Sequence, residues 1–479
     1  MPRMRNFLDS IDPAIRARVE AMAAELRTHL SPGDIVMLAA DNSPQWLNAD
    51  LALQVAGVVV IPLPGFFTPD QTGHILNHHP VRAIIGDRYS VLRVDASLDP
   101  VPLSCADWVL AMLPGRHESS QPSVRRYPEG AKLTFTSGST GEPKAVVITL
   151  QQQWQVAEAI AQTLAPLRPA SHLAMLPLPV LLQNVAGAYS SLLLGCSVDA
   201  PPLAGIGLSG SSAFDPGPAL DRIRQTSCET LIVLPHMLQL MVNYMATRSL
   251  SLPSLRYIAV GGARVPPALL DAARALGLPA YEGYGLTEAC SVVCMNTPWQ
   301  QRRGSVGRPL PHQQVKIAQD GEILIRWSVV QSGEGAGQDW FATGDLGAAD
   351  PDGYVYISGR KKNLVITGYG RNVSPEWPES ILLEHEDIVQ AMVYGDGDPH
   401  LSALLVPRRP DIAERSLADI VGRANWRLPD YARIHAWKKV RPFTPESGLL
   451  TPNGRLRRDR IAAVYCSKPS ILKSPGEQA

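Results

Sequence analysis

Leu133-Thr134-Phe135-Thr136-Ser137-Gly138-Ser139-Thr140-Gly141-Glu142-Pro143-Lys144-Ala145-Val146-Val147-Ile148 sets a cluster of hydroxyls and glycines before a β-branched run. β-branched residues favour extended structure, so the segment reads as two strands joined by a loop. Gly138 and Gly141 allow positive φ and a close approach of backbone to ligand. Successive N–H groups in such a turn form an anion-binding nest, and Thr136, Ser137, Ser139 and Thr140 add hydroxyl donors. Lys144 adds a compact positive charge. A polyphosphate needs this chemistry; an ordinary Ser/Gly surface loop is the competing reading. A P-loop fits poorly, because it requires Gly-Lys followed by Ser or Thr at the start of a helix. Here Pro143 precedes Lys144, and Ala145-Val146-Val147 continues as strand.

The chain of 479 residues exceeds the usual limit of one hydrophobic core, so at least two domains are expected. Lys plus Arg (44) balance Asp plus Glu (44), which gives no general drive toward nucleic acid or anionic membrane. The six cysteines (Cys105, Cys196, Cys228, Cys290, Cys294, Cys466) contain no Cys-x-x-Cys pair. Neither a zinc site nor a disulfide framework is expected, and reduced cytosolic thiols are. Cys290 and Cys294 sit in a strand-like setting and are assigned no metal. Met1 to Arg18 is charged and lacks the apolar core of a signal peptide. The apolar stretches Val55 to Phe67 and Leu173 to Leu194 are broken by Pro62, Pro64, Pro177, Pro179, Gln183 and Asn184. No membrane span is expected, and the cytoplasm is the expected location.

Ile11 to Leu30 shows helical spacing of apolar residues, and Ser31-Pro32-Gly33-Asp34 turns the chain into a strand at Ile35-Val36-Met37-Leu38. Ser43 is placed to cap a helix from Pro44 through Val55, with proline at its first position. Gly57 to Leu63 and Ala83-Ile84-Ile85-Gly86 read as strands, and Gln151 to Leu164 as a helix. Thr230 to Leu234 and Tyr257 to Val260 resume the pattern as strands. Strands alternating with helices argue for an α/β fold with parallel sheets covered on both faces. Leu176-Pro177-Leu178-Pro179 leads into an apolar segment, Leu181 to Leu194, that reads as core helix. Pro201 to Pro218 reads as a flexible surface loop, and Lys468 to Ala479 as a disordered tail.

Further segments carry candidate chemistry. Gly261-Gly262-Ala263 follows a strand, where ligands bind in α/β sheets, and lets an adenine or acyl chain lie against backbone; a tight turn alone is the other reading. In Tyr281-Glu282-Gly283-Tyr284-Gly285-Leu286-Thr287-Glu288, Tyr284 offers a face to a purine and Thr287 a hydroxyl to a phosphate. Glu288 is a hard oxygen ligand suited to Mg²⁺. Asp345, in Ala342-Thr343-Gly344-Asp345-Leu346, can accept from both ribose hydroxyls when ionised. Arg360, in Tyr356-Ile357-Ser358-Gly359-Arg360-Lys361-Lys362-Asn363, suits ribose or phosphate oxygens.

On these motifs the chain resembles the adenylate-forming (AMP-binding) superfamily: acyl-CoA synthetases, aryl-CoA ligases, peptide-synthetase adenylation domains and firefly luciferase. The family loop Thr-Ser-Gly-Ser/Thr-Thr-Gly-x-Pro-Lys-Gly is matched except for Ala145, and Tyr-Gly-x-Thr-Glu is matched in full. The form around Leu181-Leu182-Gln183-Asn184-Val185-Ala186-Gly187 looks like the long-chain branch, whose members line the acyl pocket here. The sequence before Thr134 is short for that branch, which implies a trimmed pocket.

The resemblance implies a large N-terminal domain of parallel-rich sheets flanked by helices (1–360) and a small mobile α+β C-terminal domain (361–479). It places ATP against Thr136, Ser137, Gly138, Ser139, Thr140, Gly141, Lys144, Gly262, Ala263, Glu282, Gly283, Tyr284, Gly285, Thr287, Asp345 and Arg360. Thr287 and Glu288 act at the reacting phosphate, with Mg²⁺ on Glu288. Lys362 is the hinge, and Gly368 and Gly370 face a thiol tunnel. Arg455 stands where the family has the lysine that drives adenylation, and the two are not interchangeable. The basic cluster Arg455, Arg457, Arg458 and Arg460 is placed either to meet the phosphates of a CoA or carrier arm or to form a plain solvated face. The implied activity is formation of an acyl-adenylate from a fatty or other hydrophobic acid, then transfer to CoA. The alternatives are a ligase loading a carrier-protein pantetheine arm or an amine, and a nucleotide-binding homologue with weak adenylation.

Overall fold

The computed structural model describes residues 7–104, 108–113, 127–137, 143–210, 213–327, 340–367, 372–396, 398–451 and 454–466; of Thr136, Ser137, Pro143 and Asn372 only the backbone is described. The fold is α/β, and the chain divides into two compact units, Met1–Lys361 and Lys362–Ala479.

Among the described residues the first unit holds two large sheets and a smaller one. The first sheet contains β1 (Ile35–Ala39), β2 (Val59–Pro62), β3 (Val81–Gly86), β4 (Val101–Pro102), β5 (Val109–Met112), β6 (Lys132–Ser137) and β7 (Pro143–Ile148), ordered β4-β5-β3-β1-β2-β6-β7. Its centre is parallel, β3-β1-β2-β6. β1 and β2 are buried along their whole length, which is why they read as continuous apolar runs. The edge pair β6 and β7 is antiparallel, with Lys132 opposite Ile148 and Thr136 opposite Lys144. Residues 138–142 lie outside the described residues, so Gly138, Ser139, Thr140 and Gly141 have no structural account.

The second sheet uses β8 (Ser171–Leu173), β9 (Ser197–Asp199), β12 (Thr230–Val233), β13 (Tyr257–Val260), β14 (Ala280–Tyr284), β15 (Cys294–Met295) and β16 (Arg308–Pro309); β10 (Leu208–Ser209) and β11 (Ala213–Phe214) form a separate short hairpin. The order is β16-β15-β14-β13-β12-β8-β9, parallel from β9 to β14 and antiparallel beyond. The third sheet is antiparallel: β17 (Gln313–Ile317), β18 (Glu322–Trp327), β19 (Phe341–Ala349) and β20 (Val355–Arg360).

The helix Pro44–Val55 is capped as its sequence requires, Ser43 accepting from the Trp46 N–H at 3.1 Å. Thr149 and Gln152 form a capping box on the helix Leu150–Leu164. Two readings need correction. Pro201 to Pro218 is not a loose loop: Ile206 and Leu208 are buried in the core, a 3₁₀ turn spans Leu203–Ile206, and Pro216 starts the helix Pro216–Thr226. Leu181 to Leu194 is not one regular helix: Asn184–Tyr189 is a π-helix between short α-helical pieces. π-helical turns are rare and often lie at functional sites.

A polar cluster holds that π-turn. Lys132, on β6, is wholly buried; its Nζ donates to Asp50 Oδ2 and to Tyr189 Oη, each at 2.8 Å, and to Asn184 Oδ1. Tyr189 and Asn184 also donate to Asp50 Oδ2, at 2.6 and 2.9 Å. Burial lowers the Lys132 pKa, and the Asp50 carboxylate opposes that shift. Removing one partner of a buried pair leaves a charge without compensation. Lys132→Met is expected to destabilise the protein by about 3–5 kcal/mol, and adding Asp50→Leu to restore much of it. Thermal and urea melts of the single and double variants check this.

The second unit repeats the logic of alternation on a small scale. β23 (Ile388–Tyr394) and β24 (Leu401–Pro407) pair antiparallel, and β25 (Ile434–Lys439) adds parallel to β24; β21 (Val365–Ile366) and β22 (Asn372–Val373) form a small ribbon. Ala391, Val393, Leu401, Ala403 and Leu405 pack on one face with the helices Glu376–Leu382 and Glu414–Trp426. Met392, Leu404 and Val406 pack on the other with Phe443, Leu449, Leu450 and Ile461. Among the described residues no helix is long and apolar enough to cross a membrane.

Candidate active site

Parallel strands direct their carboxyl ends to one edge of a sheet, where ligands bind. At that edge of the second sheet, the turn Gly261-Gly262-Ala263 follows β13, and its neighbour β14 ends at Tyr284, with Val260 paired to Glu282. A Cβ on Gly261 would lie 3.2 Å from the Gly283 carbonyl oxygen, so the turn rests against β14. Gly262 has φ +81° and faces solvent with Ala263. Gly285 is needed for a different reason: a Cβ there would fall 1.5 Å from the Ser291 carbonyl oxygen. That close return folds Thr287–Ala289 into a 3₁₀ turn, with Glu288 exposed. β7, which carries Lys144, packs against this turn. Lys144 itself is exposed.

Asp345 ties the edge to the third sheet. It lies opposite Arg360 in the β19–β20 register, and Arg360 Nε donates to its Oδ1 at 2.8 Å. Tyr284 Oη donates to Oδ2 at 2.7 Å. Burial, and the Asp345 carboxylate next, push the Tyr284 hydroxyl well above its ordinary pKa, so it remains a donor. The Asp345 N–H donates to Thr343 Oγ1 at 3.1 Å, which fixes the turn before it. Tyr284, Asp345 and Arg360, read from separate motifs, therefore meet, and Thr287 follows Tyr284 by one tight turn.

Glu282 takes a different place from its neighbours in the motif. Its carboxyl is buried and accepts the Val265 N–H, bracing the Gly261–Val265 turn from inside. Burial pushes it up to about 8, against smaller lowering by that N–H and by Arg264. Between its ordinary value of 4.5 and about 8 the folded chain holds a proton that the unfolded chain has released. This contribution to stability therefore falls as pH rises through that window. Glu282→Gln is expected to flatten the dependence of melting temperature on pH there, checked by melts of both proteins across a pH series.

Some positioning groups carry no motif. Arg264 Nη1 donates to the Ser358 carbonyl at 3.4 Å, joining the Gly-Gly turn to β20. Lys361 Nζ donates to Asp320 at 2.7 Å and to Glu322 at 2.8 Å, while Glu322 accepts the Gly344 N–H at 2.9 Å, next to Asp345. The doubled Lys361-Lys362 charge was the available signal; its partners lie about forty residues away.

Among the described residues no group of three or more His, Cys, Asp or Glu side chains could hold a metal ion. Glu288 beside Thr287 fits Mg²⁺ held by one carboxylate and substrate phosphates, the usual manner for this ion. The described cysteines Cys196, Cys228, Cys290, Cys294 and Cys466 are free thiols.

In the second unit Lys362 is exposed in the short turn Lys361–Asn363, and Gly368 and Gly370 lie outside the described residues. Arg455 is exposed on a tight hairpin: the Thr451 N–H donates to the Arg455 carbonyl at 2.8 Å, and the Arg455 N–H to Thr451 Oγ1 at 3.0 Å. The basic cluster is not a uniform cationic face. Arg458 turns inward to Glu379.

Comparison with known proteins bears on this site. The model of the family described as AMP-binding enzyme matches residues 14–334. The chain belongs to that family, the adenylate-forming enzymes, and is an acid–CoA ligase family enzyme of the AMP-forming type. Long-chain-fatty-acid–CoA ligase FadD15 of Mycobacterium bovis is 27% identical over 91% of this chain and 87% of its own. Sulfoacetate–CoA ligase of Cupriavidus necator is 30% identical over 77% of this chain and 76% of its own. The fold is shared with O-succinylbenzoate coenzyme A synthetase of Bacillus subtilis, solved with ATP and magnesium ion, at TM-score 0.72 and 22% identity over 93% of each chain.

Proposed function

We propose that this enzyme activates a fatty or otherwise hydrophobic carboxylic acid with MgATP and passes the acyl group to CoA. The observation that carries the reading is the meeting of Tyr284, Asp345 and Arg360 at the carboxyl edge of the second sheet. In this reading the Asp345 carboxylate receives the ribose hydroxyls and Tyr284 lies along the purine. Lys144, Thr287 and the Thr136–Gly141 segment take the phosphates. Glu288 would hold Mg²⁺, which when bound offsets phosphate charge.

A carboxylate oxygen attacks the α-phosphorus in line, and the bond to pyrophosphate breaks, leaving an acyl-adenylate. The work of the protein here is positioning and charge stabilisation. The Arg455 guanidinium supplies the charge that the family takes from lysine. A thiol sulfur then attacks the acyl carbon, the bond to AMP breaks, and the thiol proton is released. Lys362 is the proposed pivot for presenting the second unit to each half-reaction, with Gly368 and Gly370 beside the thiol.

The hydrophobic acid is supported by the relation to FadD15 and by the buried apolar residues Leu181, Val185, Ala186 and Ala188 around the π-turn. The relation to a sulfoacetate ligase makes acid identity the point to test. Pyrophosphate release is expected with straight-chain fatty acids and not with small polar acids; the opposite ranking overturns the assignment. Offering CoA, a carrier-protein arm or an amine to the formed adenylate then reads the acceptor, with CoA expected.

A further inference from the structure

The hairpin carrying Arg455 is held at its base by two kinds of contact. One is apolar: Leu449 and Leu450 are buried with Met392, Phe443 and Ile461, and Leu450 bridges Leu456. The Arg457 N–H closes the base on the Leu449 carbonyl at 2.9 Å. The other is ionic. Arg458, at the start of the helix Arg458–Tyr465, grips Glu379 in a forked pair, Nη1 to Oε1 at 2.8 Å and Nη2 to Oε2 at 2.6 Å. Its side chain is only 18% exposed and that of Glu379 7%. Glu379 Oε1 also accepts the Val393 N–H at 2.7 Å, which fixes the carboxylate to β23.

The pair extends toward the other end of the unit. Arg458 Nη2 lies 3.6 Å from Glu376 Oε1. Glu376 accepts from Asn363 Nδ2 at 2.5 Å and from Ser374 Oγ at 2.7 Å. Asn363 directly follows Lys362. One chain of side chains, Asn363–Glu376–Arg458–Glu379, thus joins the first turn of the second unit to the base of the Arg455 hairpin.

A buried ion pair is weak evidence for stability, because desolvating the charges offsets their attraction. An apolar contact already anchors this hairpin. The forked geometry of arginine on carboxylate does fix orientation, which an apolar contact does not.

We propose that Arg458 is a positioning residue for acyl-adenylate formation, clamped by Glu379 and Glu376 so that the hairpin presents the Arg455 guanidinium in one place. The proposal rests on the reading that Arg455 serves adenylation. Arg458 touches no substrate in it and acts through Arg455 alone. Misplacing a catalytic group by about 1 Å costs on the order of 100-fold in rate.

The test separates the half-reactions in the full-length enzyme. Pyrophosphate release reads adenylation; AMP release from a presynthesised acyl-adenylate and CoA reads transfer. Arg458→Lys is expected to lower adenylation about 100-fold through kcat, with the acid and ATP KM values and the transfer rate unchanged. Glu379→Gln keeps the shape, serves as the second variant should Arg458→Lys melt early, and is expected to act the same way. In an Arg455→Ala background Arg458→Lys should add nothing. Equal losses in both half-reactions, or full adenylation in either well-folded variant, overturn the proposal. If Arg455→Ala itself adenylates normally, the reading of Arg455 is what fails. If Arg455→Ala loses adenylation while Arg458→Lys keeps it, only the role of Arg458 fails.

Discussion

Asp345→Ala is expected to lower kcat/KM for adenylate formation roughly 100- to 10,000-fold. A carboxylate receiving both ribose hydroxyls makes hydrogen bonds to a charged group, each worth about 1.5–3 kcal/mol. A loss of 1.4 kcal/mol is about tenfold in rate. The ATP dependence should carry most of the change, the acid dependence little. The same substitution removes the ion partner of Arg360 and the acceptor of Tyr284, so a structural effect must be separated. Tyr284→Phe does this. It deletes the hydroxyl that reaches Asp345 at 2.7 Å but keeps the ring for a purine. Its loss is expected to be about tenfold, the size of one hydrogen bond. Pyrophosphate release over an ATP titration measures both variants, with thermal melts alongside. If Asp345→Ala binds and turns over ATP normally, ribose is not held there.

Arg455→Ala is the second large effect, a fall in adenylation of about 1,000-fold, the size of losing a group aimed at developing phosphoryl charge. Transfer from a presynthesised acyl-adenylate to CoA should survive. Arg455→Lys is expected to hold or raise adenylation, since an ammonium is the compact charge that the family uses at this position. Collapse of the Lys variant would show that the planar fork of arginine makes a contact an ammonium cannot. The comparison thus decides whether this chain is an ordinary adenylating enzyme with a substituted cation or one whose site has been rebuilt around arginine.

Part of the candidate site is readable in sequence because the backbone geometry there is local. The Tyr-Gly-x-Thr-Glu turn and the Gly-Asp turn each need a particular residue at a particular step of the backbone. Gly285 is an example, since the Ser291 carbonyl lies where its Cβ would be. The helix Pro44–Val55, with Ser43 and Pro44 at its start, is legible for the same reason. The π-helix Asn184–Tyr189 is not, because the apolar spacing around it matches an ordinary helix and its irregularity answers to Lys132 on another element. Glu282 reads as one more motif residue until the fold turns its carboxyl onto Val265.

By itself, then, the sequence settled the class of enzyme and the alternation of strands and helices, and it singled out the segments proposed for phosphate, ribose and metal, since those readings depend on short-range backbone geometry and residue type. Tertiary structure alone decided the pairings. Tyr284 meets Asp345 across 61 positions, Arg458 meets Glu379 across 79, and Lys132 meets Asp50 across 82. No spacing along a chain encodes such partners. They are chosen when burial removes water and each charge or hydroxyl must find its complement among whatever the packed sheets and helices have brought within reach.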